Sequence, residues 1–385
     1  MEIATQKNAQ EFLRNAAGVA SYYGFSPIST IAETDTPERK SAGAKLSSVL
    51  TADDHASAEL LHAATLCIER ARQKEKPVLV YHFTLVPLRN SRMQTLRFSL
   101  SVFGVKKSIA EALVMKTAIA IFEENGVTDT HVRVNSMGDR DSSLRFLREA
   151  GNYLKKNAGD IPLQSREALK TDVFRACYHL KKKNHPIWED TPKPMEFLSD
   201  KSRRHLSEVV EYLETTDMSY EIDTSLIGHH AYYSDTIFEI RNNETGETLC
   251  RGGRCDELTR AFGGTQTPLV GTTLLYTFKG ARTPAQPRIR MRKPKVYLIQ
   301  LGFEARLRSF AVIEALRKAN IPLSFSLGTD GLREQLDEAL ALGIPYVAIV
   351  GQREALDGTA LVRNLETQAQ TAVPFALLTD HLKAL

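Results

Sequence analysis

The residues best grouped for chemistry lie between Ile222 and Gly271. Two adjacent tyrosines, Tyr232 and Tyr233, are followed by Phe238-Glu239-Ile240 and then by Gly252-Gly253-Arg254-x-Asp256. Paired glycines let a backbone turn tightly and approach a ligand. An arginine fork suits a carboxylate or a phosphate. The grouping is the frame of a small-molecule pocket, with Tyr232, Tyr233, Gly252, Gly253 and Arg254 as candidate ligand-binding residues. The other reading of Tyr232, Tyr233 and Phe238 is that they are core or groove-lining aromatics. His229 and His230 precede the tyrosines; on a strand, neighbours point to opposite faces, so the pair does not chelate one metal and reads as polar loop residues. Cys250 and Cys255 flank Arg251 to Arg254 without a second Cys/His pair nearby, so packing thiols are expected rather than a metal site.

The elements that must position these residues follow from periodicity. Ala9 to Tyr22, Ala56 to Gln73, Ile109 to Asn125, Ser142 to Asn157 and Asp200 to Thr216 read as helices, the third as an amphipathic one closed by Gly126. Pro77 to Val86 and Thr95 to Val105 read as strands separated by a polar loop, Arg89 to Gln94, and His131 to Asn135 as a short strand. Asp235 to Asn242 and Glu247 to Arg251 form a hairpin across a turn at Asn243 to Gly246. Arg254 then opens a short helix, DELTRAF. Antiparallel strands with flanking helices argue for an α+β unit.

The pattern changes after Lys279. Residues 279–294 are rich in proline and basic side chains with no apolar period, as expected of a linker. Beyond it, Val296 to Gly302, Leu323 to Gly328 and Tyr346 to Gly351 are apolar strands alternating with helices at Glu304 to Ala319 and Leu332 to Leu342. That is the pattern of βαβ units and a small, mostly parallel sheet. The division expected is 1–278 for the first unit, 279–294 for the linker and 295–385 for the second.

Composition bounds the rest. With 385 residues, 42% of them hydrophobic and 25% charged, the chain has the make-up of a soluble globular protein with at least two cores. A net charge of +4 is too mild to argue for nucleic acid by itself. Four cysteines form no disulfide framework. The first residues lack a secretory core and no run reaches membrane-spanning length, so a cytoplasmic location and no membrane contact are expected.

The tyrosine pair, the Phe-Glu-Ile and the Gly-Gly-Arg-x-Asp at this spacing resemble the histidyl-tRNA synthetase family. The βαβ unit, with the closing segment Gly358 to Pro374, resembles the anticodon-binding domain of histidyl-, prolyl-, threonyl- and glycyl-tRNA synthetases. The resemblance covers nearly the whole chain. It implies a class II aminoacyl-tRNA synthetase-like antiparallel core with helices, joined to a C-terminal α/β anticodon-binding-like domain. It also implies a homodimer formed through the first motif, here Gly24 to Ile31. In that frame Asp53 stands for the glutamate of the family's Leu-Arg-Pro-Glu-x-Thr run.

The family's reaction joins a carboxylate to an ATP α-phosphate, so it needs fixed cations on the phosphates. The resemblance places three arginines there, and this sequence departs at each. Gly228 stands where an arginine precedes the tyrosines. Phe278 stands where one ends the third motif, with Thr277 at the neighbouring glutamate. Phe83 lies near the second-motif arginine, with Arg89 or Arg92 as replacements if the loop is shorter. Arg251, Arg254 and Arg260 are the other available cations. The carboxylate before Val-Phe-Gly becomes Ser101, the glutamine four residues earlier becomes Arg97, and a tyrosine becomes Cys255.

Losing one preorganised donor at such a site costs about 10²–10³ in rate. The expectation is therefore a protein that has lost adenylation and serves as a binding or regulatory subunit, with no catalytic residues, no metal and no cofactor. The alternative is an active histidine–tRNA ligase using ATP and Mg. A narrower alternative is the regulatory subunit of ATP phosphoribosyltransferase, partnered by that histidine-pathway enzyme. For tRNA, residues 295–385 carry nine Lys/Arg against ten Asp/Glu, so phosphate contact falls instead to the linker, with Arg288, Arg290, Arg292 and Lys293 as candidates, or to Lys181-Lys182-Lys183. A solvated charge run is the other reading of both.

Overall fold

The computed structural model describes residues 6–30, 55–73, 76–88, 92–260, 262, 266–280, 284–287, 289, 292–326 and 328–385. Ile31, Asp53, Arg89, Arg288 and Arg290 lie outside the described residues.

An eight-stranded sheet carries the first unit, in the order β1-β2-β3-β8-β7-β6-β4-β5. Its strands are β1 (Ser26–Pro27), β2 (Val78–Pro87), β3 (Met93–Phe103), β4 (Thr130–Ser136), β5 (Tyr220–Ile222), β6 (Thr236–Asn242), β7 (Thr248–Arg254) and β8 (Leu269–Lys279). The six strands from β2 to β4 in that order are antiparallel to their neighbours; only the two edge pairs, β1 on β2 and β5 on β4, are parallel. The helices are α1 (Gln6–Tyr22), α2 (His55–Gln73), α3 (Ile109–Glu124), α4 (Arg140–Lys156), α5 (Leu163–Leu169), α6 (Val173–Lys182), α7 (Ile187–Asp190), α8 (Asp200–Thr215) and α9 (Asp256–Arg260).

Strand periodicity sorts side chains onto two faces. Along β3, Leu96, Phe98, Leu100 and Val102 enter a core shared with α1, α3 and α8, the back of the sheet. Along β2, β7 and β8, alternate residues including Val80, Gly271 and Gly253 face a second core built with α2 and α4 to α7, the front. Both faces are covered, so polar residues on either one must find protein partners.

Several expectations need correction. The helix α3, expected to be amphipathic, is buried from Ile109 to Phe122 except at Lys116. It lies between the sheet and the helices α1 and α8, so it has no solvent face. Helices α5, α6 and α7 were not legible as periodic segments. A usable signal was present: Asp172 caps α6 by accepting the Arg175 N–H at 3.1 Å, and Phe174, Cys177 and Leu180 follow on one face. The expected loop Arg89 to Gln94 is shorter, because Met93 and Gln94 already pair with Lys279 and Phe278 of β8.

A five-stranded sheet carries the second unit, in the order β10-β9-β11-β12-β13. Here β9 (Val296–Gln300), β10 (Leu323–Phe325) and β11 (Tyr346–Val350) are parallel, while β12 (Thr359–Asn364) and β13 (Gln370–Pro374) form an antiparallel hairpin. Helices α10 (Phe303–Lys318) and α11 (Leu332–Ala341) provide the parallel crossovers, and α12 (Gln352–Asp357) and α13 (Phe375–Ala384) flank the hairpin. The expected strand Leu323 to Gly328 ends at Phe325.

The helix α10 is docked on the first unit. Phe303 and Phe310 make edge-on contacts with Tyr212 of α8 at 5.4 and 5.7 Å. The Tyr23 hydroxyl donates to Glu314 at 2.7 Å, and Arg317 joins Glu314 to Glu124. Among the described residues, no helix is long and apolar enough to cross a membrane.

Candidate functional site

Arg254 ends β7 with its side chain on the back of the sheet. It is 1% exposed and meets Glu111 of α3 through two 2.8 Å contacts, Nε–H to Oε1 and Nη2–H to Oε2. Its remaining donors reach the carbonyls of Val105 and Lys107, and Asp256 lies 3.6 Å from Nη1. Glu111 also takes the His205 imidazole at 2.6 Å. Burial alone would push the Glu111 carboxyl up, but Arg254 and then His205 hold it down at about 2. The arginine is thus committed to fastening α3 to β7, on the opposite face from the tyrosines. A bidentate buried pair of this kind is a structural clamp.

The clamp gives stability a pH dependence. Burial would lower the His205 pKa, but Glu111 overrides it and raises it. A group raised in the folded state contributes fully below its unfolded value and loses that contribution as pH rises through the folded one. Glu111, depressed, contributes above its unfolded value and fails only in strong acid. Urea unfolding is expected to show a loss of stability as pH rises above the ordinary imidazole range and through the raised His205 pKa, and that loss is expected to shrink in His205→Asn.

Tyr232 and Tyr233 are buried on the front, at 0% and 1% exposure, in the core formed with Leu60, Leu61, Ala64, Phe174 and Leu258. Their backbone N–H groups both donate to the His229 carbonyl at 2.9 Å, closing a tight turn. The two histidines lie in that turn, as loop residues. His229 and His230 are not on a strand, and their rings stack 4.6 Å apart at 19°. His229 also lies 3.5 Å from Asp172. Burial, then the neighbouring His229, pushes the His230 pKa down to about 4. Among the described residues no group of three or more His, Cys, Asp or Glu is arranged to hold a metal.

Gly252 and Gly253 are glycines because strands pass too close for any side chain. A Cβ on Gly252 would sit 2.3 Å from the Gly271 carbonyl, and one on Gly253 2.4 Å from that of Thr236. Gly271 itself is roofed by Leu60 of α2, whose Cδ2 is 2.2 Å from where its Cβ would stand. The space around the expected pocket residues is therefore filled with protein. Beside it, Glu59 of α2 accepts from Thr84 at 2.7 Å, contacts His82 at 3.0 Å and reaches Arg97 at 3.4 Å. Ser101, buried under α2, makes no hydrogen bond through Oγ.

An open cavity of about 490 Å³ lies next to this packed region, between α6 and strands β6 to β8. Its lining includes Lys181 and Lys182, Arg241 and Glu239 of β6, Arg251 of β7 and Thr273 of β8. Arg251 also donates Nη2–H to the Ile227 carbonyl, one residue before Gly228.

Two family models match the chain: one described as histidyl-tRNA synthetase over residues 155–277, the other as anticodon binding domain over residues 295–385. A histidine–tRNA ligase of Dehalococcoides mccartyi is 25% identical across 96% of this chain and 94% of its own. Across both units this chain is similar to the histidyl-tRNA synthetase family. A histidine–tRNA ligase of Bacillus subtilis is 27% identical over 76% of this chain and 70% of its own. Among solved structures, apo histidyl-tRNA synthetase of S. aureus is 18% identical, covering 82% of this chain and 79% of its own at a TM-score of 0.45. A Bacillus halodurans C protein described as an ATP phosphoribosyltransferase regulatory subunit/histidyl-tRNA synthetase is 16% identical, covering 90% and 94% at a TM-score of 0.48.

Within that family frame the positions expected to carry phosphate-binding arginines have definite surroundings. A Cβ at Gly228 would lie 2.4 Å from Cδ2 of Tyr233 and 2.7 Å from Cδ1 of Ile237. Phe278 is fully buried on the back face, in the core with α1, where Phe12 stacks on Tyr276. Arg92 is exposed at the tip of the β2–β3 hairpin. Arg260 is exposed and paired with Glu257 at 3.1 Å. Of the linker candidates, Arg292 lines a cavity of about 580 Å³ with Arg14 of α1 and Arg317 and Lys318 of α10, and Lys293 is exposed.

Proposed function

We propose that this chain is a histidyl-tRNA-synthetase-like protein that has lost aminoacyl adenylation and acts as a binding or regulatory subunit. The observation that carries the reading is Gly228. Neighbouring side chains close the place of the missing arginine, so the charge is excluded by packing and not merely absent. Phe278, buried on the wrong face, supports the same reading. A reaction driven almost wholly by electrostatic stabilisation has little left without such cations.

The rival reading is a working histidine–tRNA ligase that binds ATP and Mg, which is the activity named for the ligases of D. mccartyi and B. subtilis. Histidine-dependent ATP–pyrophosphate exchange separates the two. The narrower role, a regulatory subunit of ATP phosphoribosyltransferase, would make that histidine-pathway enzyme the partner; co-purification of the two chains tests it.

The proposed division is 1–278, 279–294 and 295–385, supported by the end of β8 at Lys279 and the start of β9 at Val296. The proposed assembly is a cytoplasmic homodimer, checked by sedimentation. Contact with tRNA is proposed for Arg288, Arg290, Arg292 and Lys293, because phosphate affinity follows cations and the α11 segment is acidic (Glu334, Asp337, Glu338). Labelled tRNA titrated at two salt concentrations reads this directly.

A further inference from the structure

We propose that the groove between α11 and the turn of the β12–β13 hairpin is an interface between two copies of this chain, closed by pairing α11 with the α11 of a second copy. The inference goes beyond the binding role proposed above and does not depend on it.

Three observations carry it. The first is an apolar seam. Leu332, Leu336 and Leu340 recur at every fourth residue of α11, so they share one side of the helix. Leu332 is 41% exposed and Leu340 57%. Together with Leu365 they wall an open groove of about 400 Å³. Single exposed leucines are ordinary, but a contiguous row along a groove marks a contact surface. Every residue lining the groove, with its neighbours in sequence, lies among the described residues.

The second is fit. The other sides of α11 are engaged within the chain. Gln335 and Ala339 are buried. Glu338 takes the Lys76 ammonium and the Tyr297 hydroxyl at 2.9 Å each. The leucine side stays open. A groove beside a helical ridge accepts the apolar ridge of another helix, and α11 itself offers a ridge of matching length and spacing.

The third is charge. Arg333 and Asp337 line the same groove, one helical turn apart, and both are exposed. Among the described residues neither has an oppositely charged partner within 4 Å. Two helices related by a two-fold axis across them run antiparallel, and like flanks meet. Leu332 then faces Leu340 of the second copy, and Leu336 faces its own counterpart. Arg333 faces Asp337 of the second copy within about 3 Å of register along the helix, and the reverse pair forms by symmetry. The flank is therefore self-complementary, a property that only a second copy uses.

The interface lies in the second unit and is separate from the first-motif dimer proposed above. Where both form, two self-complementary interfaces join dimers into tetramers or chains. A ten-residue helix is about 15 Å long, too short to cover the about 800 Å² per partner of a standard interface. Association is therefore expected to be reversible and dependent on concentration.

Sedimentation of the full chain over a wide concentration range reads it. The average mass is expected to rise with concentration to at least twice that of the smallest species. Leu340→Glu is expected to weaken this association about tenfold or more. Leu163→Glu, 68% exposed on α5, leaves it unchanged. Both positions are exposed, so both variants are expected to fold, which circular dichroism checks. Charge reversal tests the identity of the partner. Arg333→Asp and Asp337→Arg each set like charges across the axis, so each associates more weakly alone. Mixed in equal amounts, the two variants recover the association, because each now supplies the charge the other lacks. The double variant Arg333→Asp with Asp337→Arg recovers it without mixing.

One mass at all concentrations, association of Leu340→Glu as tight as that of the native chain, or no recovery in the mixture overturns the interface. None of these results touches the loss of adenylation, which pyrophosphate exchange reads separately.

Discussion

Replacing Arg254 with methionine is expected to lower the unfolding free energy by about 3–5 kcal/mol, because it leaves the Glu111 carboxylate buried without its main partner. Both Glu111 oxygens contact this arginine, and the carboxylate is fully buried. His205 remains, but one imidazole at 2.6 Å cannot answer a carboxylate held ionised by two cations. The double variant Glu111→Leu with Arg254→Met should recover most of the loss, since apolar replacement of a whole buried pair is often neutral. Urea unfolding of the two singles and the double closes the cycle. Equal stability of Arg254→Met and the native protein would show that the arginine does not act as a clamp.

Restoring the missing arginine should fail. Gly228→Ala is expected to cost about 1–3 kcal/mol by overpacking, because its Cβ meets the Tyr233 ring at 2.4 Å and Ile237 at 2.7 Å. The Tyr233 atoms belong to a rigid ring, and Ile237, met at its terminal Cδ1, is buried with that ring in the front core. Gly228→Arg is expected to cost more, visible as a lower urea midpoint, and to gain no exchange activity. A well-folded Gly228→Arg protein with new histidine-dependent exchange would show that the site needed only its charge back.

How much of this was legible in the sequence depends on which physical signal each residue carries. Strands and long helices were readable because Leu96, Phe98, Leu100 and Val102 alternate and because α1, α2 and α8 repeat at helical spacing. The stretch from Leu163 to Asp190 was not, since α5 and α7 are too short to show a period. Gly252 and Gly253 were read as ligand-approach glycines, whereas the close neighbours are strands of the same sheet. Arg254 was selected by its type, but its partner Glu111 is 143 residues away, a pairing no local pattern contains. Lys181 was visible only as part of a basic run. The gap at Gly228 was visible from the motif alone, but that packing seals it was not.

The central claim is that the phosphate-handling charge of the family has been removed and its place closed. Purified native protein assayed for histidine-dependent ATP–pyrophosphate exchange, beside an active histidine–tRNA ligase as positive control, tests it most directly. The account predicts no exchange above the level seen without histidine. Exchange that rises with histidine and disappears when histidine is withheld would contradict it.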